Sequence, residues 1–295
     1  KVPTYDNVFV DEAQDLNEAQ RIFIGKLMGQ SGRLIAVGDT HQAIYGFRGA
    51  DHNSMHRIKH DFGCKELPLS ICYRCDTSVV ETAQRFVPHI TARSQADKGE
   101  VRYVDHGLHW DDYQSDDYIL CRTNAPLVSE AMRLCVKGHN VCILGRDIIP
   151  GLMKNVKSIC SSYNGEASSR DVMEWYQDQV DALPERKKYK AYAMWDQAGV
   201  LCAICGSTPM GPEAFKKILE DLFSDRRPVV PHIVLSTIHK SKGLEADRVF
   251  ILKPHQLPHP MAKGLDELQQ EDNLHYVAIT RAKHMLTYLI DRSEV

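Results

Sequence analysis

Asp11-Glu12-Ala13-Gln14-Asp15 follows directly on the short apolar run Val8-Phe9-Val10. An apolar run of that kind reads as a strand, so its two leading carboxylates stand at a strand end, where the polar groups of a parallel sheet collect. Adjacent carboxylates placed there can divide a hydrolytic task. Asp11 would hold a hydrated Mg2+ ion, and Glu12 would orient and deprotonate an attacking water. The plainer alternative is a solvated acidic helix start, because acidic side chains are favoured in the first turn of a helix.

The elements around these carboxylates read as strand, helix, strand. The apolar run 8–10 is followed by a helical stretch at 17–28 and a second apolar run at 34–37 that ends in Gly38-Asp39. Such alternation is the mark of a crossover unit in a parallel sheet. A new block begins near Lys65, with a strand-like stretch at 67–70, a helix at 77–86, strands at 101–104 and 118–122, a helix at 127–136 and a strand at 141–144. From about residue 147 the pattern becomes helical and polar, which suggests an inserted helical subdomain. Strand character returns at 233–236 and 249–252, a helix is expected at 271–283, and a strand at 285–290 closes the chain.

Six segments then fall into a recognisable order. Asp11 to Asp15 resembles motif II of the UvrD/Rep helicases, and Gly38-Asp39-Thr40-His41-Gln42-Ala43-Ile44-Tyr45-Gly46-Phe47-Arg48-Gly49-Ala50-Asp51 resembles their motif III. Leu69-Ser70-Ile71-Cys72-Tyr73-Arg74 is similar to motif IV, and Arg122-Thr123-Asn124-Ala125 to the motif after it. Ser236-Thr237-Ile238-His239-Lys240-Ser241-Lys242-Gly243-Leu244-Glu245 is similar to motif V, and Tyr276-Val277-Ala278-Ile279-Thr280-Arg281-Ala282 to motif VI.

The resemblance implies a role for each matching residue. Gln42 would donate its amide to the terminal phosphate of ATP, and Arg74 and Arg281 would act on that phosphate as arginine fingers, forked donors for transition-state charge. Tyr73 would stack on the adenine base, with a buried core tyrosine as the alternative. Glu245 would take the ribose hydroxyls, and Gly243 would let backbone approach phosphate closely. Tyr45 and Phe47 would stack single-strand bases, which tolerates any sequence. Arg48, Asn124, Thr237 and His239 would contact the DNA backbone.

Composition bounds these readings. The chain has 295 residues, a net charge of -3 and 43% hydrophobic residues, enough for about two domains, so DNA binding must rest on local surfaces and not on the overall field. Nine cysteines without a signal peptide point to reduced thiols in an intracellular, cytoplasmic protein. No apolar run reaches the length of a membrane span. Cys202 and Cys205 have zinc-like spacing, but no second pair lies near, so they read as buried thiols. Lys187, Lys188 and Lys190 read as a solvated face.

The chain departs from the family in two respects: it contains no Gly-x-x-x-x-Gly-Lys-Ser/Thr loop to cradle phosphates, and its insertion before motif V is shorter than in the large bacterial members. The expectation is that this loop belongs to a missing N-terminal motor segment, on the same or a separate polypeptide, and that the 295 residues alone do not hydrolyse ATP. The expected architecture is α/β, with RecA-like parallel-sheet motor domains of the P-loop NTPase type. Residues 1–65 would be the remnant of the first, 66–146 and 229–295 the second, and 147–228 the helical insertion. The resemblance implies an ATP- and Mg2+-dependent DNA helicase that moves 3′ to 5′ on single-stranded DNA and meets duplex junctions. The alternatives are the helicase subunit of a recombination nuclease and a non-catalytic module that binds DNA or protein.

Overall fold

Alternation of short apolar runs with amphipathic stretches produces three separate sets of parallel strands among the described residues: one of seven strands and two of two. The computed structural model describes residues 2–46, 49, 51, 53–107, 111–225, 230 and 232–290. In chain order the strands are β1 (Tyr5–Val10), β2 (Met28–Ala36), β3 (Ile71–Cys72), β4 (Thr91–Ala92), β5 (Glu100–Asp105), β6 (Tyr118–Cys121), β7 (Val141–Leu144), β8 (Phe223–Ser224), β9 (Ile233–Thr237), β10 (Ala246–Leu252) and β11 (Ala282–Ile290). The helices are α1 (Glu18–Leu27), α2 (Ser54–Asp61), α3 (Thr77–Ala83), α4 (Ala125–Val136), α5 (Ile149–Ser162), α6 (Ser169–Asp181), α7 (Ala191–Cys205), α8 (Pro212–Leu222) and α9 (Leu265–Ile279).

The chain divides into two compact units. The first comprises Lys1–Lys98 and Leu257–Thr280, the second Gly99–Gln256 and Arg281–Val295. This division differs from the boundaries at 65 and 146 suggested by the sequence. For the boundary at 65 the reason lies in residues 66–98: the stretch 67–70 forms no strand, and among the described residues β3 pairs only with β4.

In the first unit β1 and β2 run parallel, with Val10 opposite Ala36, so the segments following both strands leave from the same edge. Helix α1 between them is closed by a reciprocal cap: the Gln20 amide donates to Asn17 Oδ1 at 2.9 Å, and the Asn17 amide donates to Gln20 Oε1 at 2.8 Å. Buried Arg21 on α1 pairs with Asp51 at 2.8 Å, which fixes the chain ahead of α2.

The second unit is built on a seven-stranded, all-parallel sheet in the order β5-β11-β10-β6-β9-β7-β8. Its central strands β6 and β9 are buried throughout, as continuous apolar runs in a sheet covered on both faces must be. Strand β9 enters between β6 and β7, with Cys121 opposite Thr237. Helices α5 to α8 do not make a body of their own. Leu152, Val156 and Ile159 of α5, Tyr176 of α6, Leu201 of α7 and Phe215 of α8 join one core with Ile119, Ile143 and Leu235 of the sheet. Among the described residues no helix is long and apolar enough to cross a membrane.

Candidate functional site

In the first unit, the parallel pairing of β1 and β2 brings Asp11 and Asp39 to one sheet edge. The chain turns sharply after Asp11: Glu12 takes a left-handed backbone, φ 51° and ψ 39°, which a residue with a side chain adopts at a cost. Its amide donates to Asp11 Oδ1 at 2.9 Å. Buried Gln14 then acts as a connector. Its Nε2 donates to Glu12 Oε2, and its Oε1 accepts from the Asp39 amide at 3.1 Å. Asp39 continues the chain of contacts by accepting from Gln42 Nε2 at 2.9 Å and from the His41 amide at 2.9 Å. Glu12, Gln14, Asp39 and Gln42 are thus joined in series. Gly38 makes this approach feasible, because a Cβ there would lie 2.4 Å from Gln14 Oε1 and 3.1 Å from the Ala13 amide.

Helix α9 holds the same loop from the other side. Asn273 Nδ2 donates to the carbonyls of Thr40 at 3.2 Å and Ala43 at 3.0 Å. Tyr276 places its ring 6.2 Å from that of His41, edge-on, and burial reinforced by Asp39 pushes its phenol up. The donor set at Asp11 suits a hard cation: an exposed carboxylate whose Oδ1 accepts, among the described residues, from the next amide leaves oxygen available, and Mg2+ characteristically takes one or two carboxylates with the rest of its shell from phosphate and water.

Tyr45 is half-buried beside this loop. Phe47 and Arg48 lie outside the described residues. Tyr73 is 73% exposed and so is not a core residue. Arg74, also exposed, donates to the Thr280 carbonyl at 3.3 Å.

In the second unit the candidate residues occupy two edges of the sheet. Thr237 is the last residue of β9, and Asn124 and His239 follow the C-terminal ends of β6 and β9, whereas Glu245 and Arg281 precede β10 and β11. The segment 238–245 therefore crosses the sheet, and Gly243 turns it with φ 82° in open space. Asn124 is engaged by Asp196 of α7. Its side-chain amide donates to Asp196 Oδ2 at 2.9 Å, while the backbone amides of Asn124 and Ala125 donate to Oδ1 at 3.0 and 2.7 Å. That carboxylate is the cap of α4, stabilised by the positive end of the helix. Thr237 is buried and His239 half-buried.

Arg281 is 1% exposed and donates to the Leu244 carbonyl at 2.9 Å, while its own carbonyl accepts from the Ala246 amide at 3.0 Å. It thereby fixes the end of the segment that carries Gly243 and Glu245. Glu245 pairs with Lys283 at 3.0 Å. Cys202 and Cys205 sit on α7, where burial raises both thiols, Cys205 to about 11.

Sequence reasoning named Asp11, Glu12 and Gln42 but not the groups that link them. Gln14 and Asp39 were visible inside the motifs as polar residues at strand ends, and that was the available signal. Asp196 gave none, lying 72 positions from its partner.

With this geometry in place, similarity to known proteins becomes informative. A model of the UvrD/REP helicase N-terminal domain matches residues 3–63, and one of the UvrD-like helicase C-terminal domain matches residues 207–293. The F-box DNA helicase protein 1 of Schizosaccharomyces pombe is 27% identical over 96% of this chain, and the chain spans 33% of that protein. DNA helicase II of Escherichia coli is 34% identical over 30% of the chain and 12% of its own length. The ATP-dependent DNA helicase PcrA of Leuconostoc citreum is 32% identical over the same shares. The first domain match covers the joined carboxylates and glutamine and the second covers the crossing segment with Arg281, in the order the motifs require; the fold is mixed α/β with a seven-stranded parallel sheet consistent with a RecA-like motor, and the chain belongs to the UvrD/Rep helicase family.

Proposed function

We propose that this chain forms part of an ATP-driven DNA helicase that steps along single-stranded DNA, 3′ to 5′, and separates duplex at junctions. The observation that carries the reading is the series Glu12–Gln14–Asp39–Gln42, which ties a carboxylate able to take a proton from water to an amide able to sense a phosphate. Glu12 is the general base, and Gln14 fixes the position of its carboxylate. Gln42 presents its amide to the terminal phosphate and Asp39 holds that amide in place. Asp11 would hold Mg2+, which when bound neutralises phosphate charge.

Arg74 and Arg281 are the proposed donors to transition-state charge. Arg281 has first to leave, or share, the Leu244 carbonyl, so its action is coupled to the segment bearing Gly243 and Glu245, the proposed ribose and phosphate contacts. Tyr73 is a proposed platform for adenine, as its exposure allows. For DNA, Tyr45 and Phe47 are the proposed stacking residues. Arg48, Asn124, Thr237 and His239 are proposed backbone contacts, of which Asn124 would have to exchange Asp196 for phosphate. The phosphate-cradling loop would come from polypeptide outside these residues.

The test is Glu12→Gln in the full-length protein, with single-strand-stimulated ATP hydrolysis and binding of ATP and DNA measured side by side. Removal of a general base is expected to lower hydrolysis about 10²- to 10⁴-fold while binding stays near normal. Turnover close to that of the parent would refute the assignment.

A further inference from the structure

The chain contains two Cys-x-x-Cys pairs, and they are physically unlike. Cys202 and Cys205 lie one helical turn apart on α7, with the Cys202 thiol donating to the Ser169 carbonyl at 3.5 Å and Cys205 buried. Cys72 and Cys75 instead flank the exposed dipeptide Tyr73-Arg74 at the end of β3, outside any helix. Cys72 Sγ accepts from the Cys75 amide at 3.4 Å, which brings the Cys75 side chain, two bonds from that nitrogen, alongside the Cys72 sulfur. Cys75 Sγ points to the Thr280 carbonyl at 3.8 Å. All nine cysteines are in the thiol form, and the described residues offer no group of three or more His, Cys, Asp or Glu arranged to hold a metal.

We infer that Cys72 and Cys75 form a redox-responsive dithiol whose oxidation closes a disulfide around Tyr73 and Arg74. The electrostatics favour it. The Cys75 thiol, whose single S–H serves either Cys72 or the Thr280 carbonyl, acts first when turned to Cys72; with the Cys75 and Arg74 amides and the Arg74 guanidinium it holds the Cys72 thiol down to about 5 against the effect of burial. Burial raises Cys121, Cys135, Cys142, Cys160, Cys202 and Cys205. Cys72 is therefore the attacking thiolate and Cys75 the resolving thiol. With a low-molecular-weight disulfide such as oxidised glutathione, the Cys72 thiolate attacks one sulfur and releases one glutathione thiolate. Cys75 then gives its proton to solvent and displaces the second glutathione from Cys72. The protein loses two electrons and two protons, which leave as two molecules of reduced glutathione. The new bond draws Cys75 Sγ away from the Thr280 carbonyl, which also accepts from Arg74, so oxidation rearranges the surroundings of that arginine. Any effect on ATP turnover rests on the role proposed for Arg74; the disulfide does not.

The experiment uses the full chain in two measurements. First, the reduced protein is alkylated at pH 6. A thiol at about 5 is almost wholly ionised there and one near 9.0 is ionised to about one part in a thousand. The lower nucleophilicity of the acidic thiolate offsets about fifty-fold of that advantage, so Cys72 should label about ten-fold or more faster than Cys202. Second, the protein is equilibrated with reduced and oxidised glutathione, blocked and digested with trypsin. Cleavage after Arg74 separates residues 66–74 from 75–85 unless a disulfide joins them. The joined peptides are expected in the parent, a glutathione adduct on Cys72 in Cys75→Ser, and neither in Cys72→Ser, with Cys202 and Cys205 still reduced. Labelling of Cys72 no faster than Cys202, or peptides that stay separate while other cysteines oxidise, would overturn the inference. Joined peptides with unchanged ATP turnover would uphold the dithiol and count against Arg74 as a finger.

Discussion

Strands β1 and β6 are both short apolar runs followed by a functional segment, yet they are held in opposite ways. All four residues of β6 are buried, with Tyr118 the most exposed at 2%, because strands and helices cover it on every side. In β1, Phe9 is 75% exposed, and no β1 side chain is fully buried. What orders the loop after β1 is polar: Gln14 bridging Glu12 to Asp39, buried Ser54 donating to the Ala13 carbonyl at 2.7 Å, and Asn273 holding the next loop. Apolar content thus identifies a strand, whereas its neighbours decide how the site beside it is held. The second unit seats its strands in an apolar core and adds hydrogen bonds at their ends, as Asp196 does for Asn124, whereas the first relies mainly on directional hydrogen bonds.

Leu120→Ala should have the largest effect on stability of the changes that probe this contrast. Removal of a fully buried leucine from the central sheet is expected to cost about 2–5 kcal/mol, read from denaturant midpoints at constant slope. A loss below about 1 kcal/mol would mean that the sheet is less tightly packed than its burial indicates.

Acid should separate the two units next. Burial, helped by Arg85, lowers His275 of α9 from 6.5 to about 4, so below 6.5 the unfolded chain takes up a proton that the folded unit refuses. The stability His275 contributes is complete above 6.5 and is lost as pH falls toward 4, by about 2 kcal/mol at pH 4.5. Asp117 of the second unit has the opposite sign. Burial raises it from 3.8 to about 6, so its contribution is complete below 3.8 and is lost as pH rises through 6. Hydrogen exchange, corrected for its intrinsic pH dependence, should show α9 losing protection between pH 7 and 4.5 while β6 and β9 do not. In His275→Phe that loss should shrink, and an unchanged loss would place the acid sensitivity elsewhere.

Phe9→Ser should have the smallest effect, within about 0.5 kcal/mol of the parent, since the side chain is already in water. A large destabilisation would show that β1 is covered in the full-length protein, and would narrow the contrast between the strands.

Much of this was legible in the residues. The strands of the large sheet other than β8 were visible as apolar runs, and motif order pointed to the segments after β1 and β2, where Glu12 and Gln42 are joined through Gln14 and Asp39. Strands β3, β4 and β8, two residues each, are too short to carry a period. β2 begins directly after α1 with Met-Gly-Gln-Ser-Gly, which has no strand pattern, and it forms because β1 supplies a partner. The burial of Arg281 could not be read either: an arginine within a motif looks exposed until the fold shows the carbonyl it binds. The compact units depended on pairings between distant segments, which periodicity does not encode.

Asn124 forms no side-chain cap on its own helix, so α4 depends for its first amides on Asp196, a residue of α7. Residues 147–228 are consequently no interchangeable cassette. A graft that replaced them with the corresponding stretch of a relative would leave the amides of Asn124 and Ala125 unanswered unless it brought a carboxylate to the same place. Across lineages, positions 124 and 196 should be inherited as a pair, and loss of either should be followed by a new cap for α4.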